Sequence, residues 1–106
     1  MPDFNDMLSK AKEMQAKMKD AQDAIKNIEV EGEAGGNLVK VILTGDYEIK
    51  AINVSEEARK ETTEIINDLI IAAYNNAKEK LKKKSSDELS KATGGINLPF
   101  DLKFPI

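Results

Sequence analysis

The chain predicts an α+β fold: a long N-terminal helix, a three-stranded antiparallel meander, a second long helix, a short third helix and an extended tail. Three observations predict it. Apolar residues recur every seven positions over residues 4–28, alternate every second position over much of residues 28–54, and return to helical spacing from about residue 62 to 84. At 106 residues the chain predicts one domain, with residues 1–93 as the helix–strand–helix unit and residues 94–106 as an extended Gly/Pro-containing apolar tail.

The first helix carries an a/d seam. Phe4, Ala11, Met18 and Ile25 share one heptad position, and Met7, Met14, Ala21 and Ile28 lie three residues further on, with no Gly or Pro between. Asp3 or Asn5 can cap its start by accepting from free backbone N–H groups. A helix of roughly 25 residues is about 37 Å long, longer than a domain of this size is wide. Part of it therefore stands out as an arm or packs on a second helix. Ala admits a close neighbour and Met adapts to irregular surfaces, so Phe4, Met7, Ala11, Met14 and Met18 are read as a helix or dimer seam. Lys12 and Lys19 fall at b, Lys10 and Lys17 at g, and Asp6 and Glu13 precede Lys10 and Lys17 by four residues, the favourable order for helix pairs. Taken alone, these lysines read as a solvated coiled-coil face.

After the seam, Ile28, Val30 and Gly32 alternate with Glu29, Glu31 and Glu33, as a strand with one buried face requires. Residues 34–37 carry Gly35-Gly36, which suits a tight hairpin. Residues 38–44 are apolar and β-branched, the central strand; Gly45-Asp46 turns the chain and residues 47–54 form the third strand. Gly35-Gly36 is no phosphate loop, since strands flank it and no Lys-Ser/Thr follows. Ser55 or Thr62 caps the second long helix, whose expected buried stripe is Ile65, Ile66, Leu69, Ile70, Ala73, Ala77 and Leu81. Tyr74 reads as core or interface. Ser85-Ser86-Asp87-Glu88 reads as a break and a new cap for the short third helix. Beyond Gly94-Gly95, every even position from Ile96 to Ile106 is apolar and Pro99 and Pro105 stand at odd ones. This is a one-faced ribbon expected to lie along a groove of its own dimer or of a partner, with a frayed terminus as the alternative.

Composition narrows the chemistry. The chain is 41% hydrophobic and 33% charged, with no Cys and no His, so it has no disulfide framework, no thiolate and no imidazole for acid–base work or metal binding. No paired carboxylates in a recognisable setting, nucleophile elbow, phosphate loop or EF-hand spacing is present. The reading is not an enzyme, with no cofactor, no metal and no small-molecule substrate. Apolar runs are too short to cross a bilayer and the N-terminus lacks a signal-peptide layout, which predicts a cytoplasmic protein without a membrane partner. The net charge is −3, yet residues 46–68 hold seven acids against three bases while residues 78–84 hold five lysines against Glu79. Such asymmetry can guide a polyanion to one part of the surface.

Several words in this order resemble the YbaB/EbfC family of bacterial nucleoid-associated proteins. They are Met14-Gln15-Ala16-Lys17-Met18, Gly32-Glu33-Ala34-Gly35-Gly36, Leu38-Val39-Lys40-Val41, Asp68-Leu69-Ile70 with Ala72-Ala73 and Asn76-Ala77, and Thr93-Gly94-Gly95 with Leu98-Pro99. The resemblance spans nearly the whole chain. It implies a two-fold homodimer with projecting helical arms that binds duplex DNA in the nucleoid with little sequence preference. The family offers no residue-level binding motif to carry over, so the DNA-binding candidates are chosen by charge pattern: Lys10, Lys12, Lys17 and Lys19, with Lys78, Lys80, Lys82, Lys83 and Lys84. Lysines without Arg among them suit phosphate contacts more than base readout. The alternative is a protein-interaction or chaperone-like coiled-coil module, similar to prefoldin-like subunits, that clasps a client with the Met-bearing seam.

Overall fold

The computed structural model of the chain describes residues 3–92. Six elements follow in order: α1 (Phe4–Lys26), β1 (Glu29–Ala34), β2 (Val39–Thr44), β3 (Ile49–Val54), α2 (Glu56–Arg59) and α3 (Thr63–Ala92). The α+β class, the meander and both long helices agree with the sequence reading. The short helix lies elsewhere than expected: it is α2, before the second long helix, while residues 85–88 continue α3 instead of breaking it to begin a third helix. The tail, residues 94–106, and the domain limit at residue 93 lie outside the described residues.

Caps decide where the helices begin. Asp3 is the cap of α1 and accepts from the Asn5 N–H at 3.4 Å. Ser55 and Thr62, alternatives for one helix on sequence alone, cap two: Ser55 Oγ accepts from Ala58 N–H at 3.1 Å to start α2, and Thr62 Oγ1 accepts from Ile65 N–H at 3.3 Å to start α3. Past Lys84, the buried positions Leu81, Ser85 and Leu89 keep the spacing of four. Ser85 is small enough to sit on that stripe, which carries the helix straight through the expected break.

The sheet has the order β1-β2-β3, antiparallel throughout, with Gly32 opposite Val41 and Val30 opposite Leu43. One face of β2, made of Val39, Val41 and Leu43, is fully buried. Against it α3 lays Ala73, Ala77 and Leu81, also fully buried, and α2 adds Ala58 to the same core. Each buried Val or Leu contributes about 1.5–3 kcal/mol relative to exposure. The alanines bring α3 close, and Gly32 brings it closer: a Cβ there would run into the Ala73 carbonyl and the Ala77 backbone nitrogen. Ile65, expected on the buried stripe, is 43% exposed, because α3 reaches full burial only from Ala73 onward. Tyr74 is half-buried and packs against both core clusters, as expected.

Turn geometry follows the glycines at one hairpin and departs from expectation at the other. Gly35 and Gly36 have φ of 62° and 71°, the left-handed region that glycine adopts without penalty. Between β2 and β3 the left-handed residue is Tyr47, at φ 63°, so it belongs to the turn and not to the third strand. Its ring packs on the Val30–Leu43–Ala77–Leu81 cluster, and burial, with Tyr74 adding to it, pushes its hydroxyl above the usual tyrosine range. A residue slip between Ile42 and Leu43 leaves Lys50 as the extra residue of a bulge in β3.

The close approach at Gly32 is the contact most sensitive to substitution. Gly32→Val is expected to lose about 3 kcal/mol in urea unfolding, since the helix backbone must retreat from the sheet. A loss under about 0.5 kcal/mol would show that α3 does not bear on β1 there.

Candidate nucleic-acid interface

The described molecule is long and thin, 71 by 24 by 19 Å, because α1 and α3 run antiparallel away from one end of the sheet. Gly45 pins the root of this pair: its N–H donates to the Ile28 carbonyl at 2.9 Å, and its lack of a side chain lets the Ile25 carbonyl pack against it. Further out, α1 offers Ala21 and α3 offers Ser85 and Leu89, all buried. Lys17, Asp20, Ala21 and Ala24 of α1 share a shallow concavity with Glu88, Lys91 and Ala92 of α3. Beyond it α1 continues alone among the described residues, and every residue from Phe4 to Lys17 is exposed there. The 13 residues from Phe4 to Ala16 make an overhang of about 20 Å. Both expectations for the long helix are therefore met, by different halves of it.

The candidate lysines distribute around this rod and do not converge on one patch. At 100° per residue, Lys10 and Lys17 lie on one flank of the seam and Lys12 and Lys19 on the other. All four are exposed, and Lys17 pairs with Glu13 at 3.8 Å. On α3, Lys80, Lys83 and Lys84 line a concavity with Val30, Glu31 and Asp87. Lys78 and Lys82, four residues apart, lie on another side of the helix. Lys80 is partly committed, since its Nζ donates to the Glu31 carbonyl at 2.9 Å. Of the nine, Lys78 alone is half-buried. The seam residues Phe4, Met7, Ala11 and Met14 are exposed, and Met18 is half-buried where α3 begins to cover it.

Charge divides along the rod. Residues 4–26 and 78–92 carry eleven lysines against seven acids, whereas residues 27–77 carry ten acids against four bases. The two long helices are thus net positive over these stretches and residues 27–77 net negative, with much of the positive balance at residues 78–84, where α3 leaves the sheet beside Glu31. Two further arm lysines lie outside the candidate set: Lys26 at the root of α1, which shares the b position with Lys12 and Lys19, and Lys91, which pairs with Glu88 at 3.4 Å. Lys91 was legible only by continuing α3 past Ser85. Among the described residues no group of three or more Asp, Glu, His or Cys could hold a metal ion, and no helix is long and apolar enough to cross a membrane.

The sequence profile of the YbaB/EbfC DNA-binding family matches residues 1–96. The chain belongs to that family. Similar proteins include nucleoid-associated proteins of Rickettsia canadensis and Mesorhizobium japonicum, each 42% identical over 106 residues, which is 99% of this chain and 99% of each relative. An uncharacterized protein of Helicobacter pylori has the same fold, with a TM-score of 0.70 at 15% identity, over 87% of this chain and 98% of that one. The YbaB/EbfC family is defined by DNA binding and not by a reaction.

The two edges of the sheet are treated differently, which sequence reasoning did not anticipate. On β1, α3 covers outward-facing backbone groups: Asn76 Oδ1 accepts from the Glu33 N–H at 3.1 Å, and Lys80 holds the Glu31 carbonyl. Among the described residues no side chain does the same for β3. The inward isoleucines of β3, Ile49 and Ile52, are 48% and 44% exposed because α3 packs on β1 and β2.

Proposed function

We propose that this protein is a bacterial nucleoid-associated protein of the cytoplasm that grips duplex DNA as a homodimer, through lysines on the α1–α3 arm and with little sequence preference. The observation that carries this reading is the division of charge: a basic rod projecting from an acidic sheet offers phosphates one end of the molecule. Lysines spread around a rod suit a backbone that passes in several orientations, and not a fixed set of base edges. With few aromatics near the lysines, a stacking platform for single strands has no support.

The homodimer draws support from β3. An uncovered strand edge with exposed isoleucines invites pairing with another chain, and a second copy supplies the same surface under two-fold symmetry. Sedimentation at micromolar concentration should give twice the 11.7 kDa chain mass. Ile52→Lys is expected to shift the population toward the single chain, and a parent that sediments as one chain contradicts the dimer.

Mobility shifts on unrelated duplexes test the DNA reading. Changing Lys82, Lys83 and Lys84 to Gln, together with Lys10 and Lys12, is expected to weaken retention at least tenfold on every duplex, with unfolding midpoints nearly unchanged because these side chains are exposed. Undiminished retention contradicts the assignment. The competing reading, a clasp formed by the Met-bearing seam, is favoured by the exposure of Met7 and Met14 and predicts client binding that survives those five changes.

A further inference from the structure

The a/d seam of α1 is half covered. From Met18 to Ile28 it lies against α3; from Phe4 to Met14 nothing among the described residues covers it, and Phe4 and Met7 are 71% and 59% exposed. The change comes where α3 ends. Ala92, the last described residue of α3, sits beside Lys17, Ala21 and Ala24, so the chain continues from a point level with the uncovered half and headed toward its tip. Fourteen residues follow, and from Ile96 every even one is apolar while the odd ones are Asn97, Pro99, Asp101, Lys103 and Pro105.

We infer that residues 96–102 of the same chain lie antiparallel along the seam of α1 from Met14 to Phe4, taking over as α3 ends. Lengths agree. The seam from Met14 to Phe4 is about 15 Å long, and an extended or polyproline-type chain at about 3.1–3.4 Å per residue crosses it in about five residues, within the seven available. Alternate residues of such a ribbon are about 6.5 Å apart, while the seam advances by three or four helical residues, about 4.5 or 6 Å. With Ile96 at Met14, Leu98 falls between Ala11 and Met7 and Phe100 between Met7 and Phe4, which leaves Leu102 at the tip of the helix beyond Phe4. Ala11 leaves the shallow place in the seam for Leu98, and Met flexes to the rest. The polar odd positions face water, where Pro99 lacks no hydrogen bond that a sheet would need.

The occupant is the chain's own tail because of the tether. Thr93, Gly94 and Gly95 alone separate Ala92 from the ribbon, and so short a link holds it at an effective concentration of order millimolar beside its groove. A second copy has no such advantage. This inference does not rest on the DNA-binding proposal, since the lysines flank the seam and do not line it.

Hydrogen exchange compares the full-length parent with Leu98→Ser/Phe100→Ser/Leu102→Ser. Amides of residues 4–14 are expected to exchange at least tenfold faster in the variant, with residues 18–26, held by α3, unchanged. Equal rates over residues 4–14 overturn the docking. The absence of native cysteine permits a second measurement on Met7→Cys/Phe100→Cys, with Ser9→Cys/Phe100→Cys as the control on the far side of the helix. Oxidation is expected to cyclise single chains at least tenfold faster in the first pair than in the second. Equal rates, or covalent dimers as the main product, overturn the assignment to the chain's own tail.

Discussion

The approach of α3 to β1 over Gly32 determines the direction in which the whole arm leaves the sheet. A helix seated by alanines against a glycine has little freedom to tilt, because packed backbones leave no side chains between them to rearrange. The same helix then continues beyond the sheet as the spine against which α1 folds back. One element is thus both the cover of the core, through Ala73, Ala77 and Leu81, and the support of the arm, through Ser85 and Leu89. Gly45 completes the arrangement by tying the root of α1 to the β2–β3 turn.

That geometry gives the charge division its meaning. In a compact domain eleven lysines and ten acids would lie within a few ångströms of one another and largely cancel. Drawn out along a molecule 71 Å in longest extent, the lysines of the α1 overhang lie further from the sheet acids than the roughly 8 Å screening length at physiological salt. Lys80, Lys83 and Lys84, by contrast, stand at the border of the sheet beside Glu31. Local ion pairs alter this little: Glu13–Lys17 and Glu88–Lys91 are exposed, and pairs of that kind contribute about 0–1 kcal/mol. On the sheet, Glu31–Lys40 and Glu29–Lys50 at 3.4 and 3.0 Å tie up the few bases among its acids, which leaves the other carboxylates to dominate the sheet end.

Much of this was legible in the sequence because the determinants are local. The heptad of α1, the alternation of Val30 and Gly32 with glutamates, and Gly35-Gly36 each specify an element without reference to the remainder. Where the sequence misled, a tertiary contact had overridden a local signal. Ser85 reads as a helix breaker until its place under α1 is known. Ser55 and Thr62 compete for one helix until the short α2 separates them. Tyr47 has strand propensity, but its packing on the core holds it in a turn at positive φ. The asymmetry of the sheet edges was not legible at all, since Asn76 and Lys80 reach β1 from 43 and 49 residues away. For the lysines, the sequence could specify charge pattern and helical flank but not which of them meet in space.

The central claim, that an electropositive arm holds DNA by its phosphates, is tested most directly by the salt dependence of binding to a single duplex. If the arms neutralise about six phosphates, the logarithm of the association constant should fall against the logarithm of salt concentration with a slope of about −5. A slope near zero would mean that the lysine-bearing rod is not what holds the duplex.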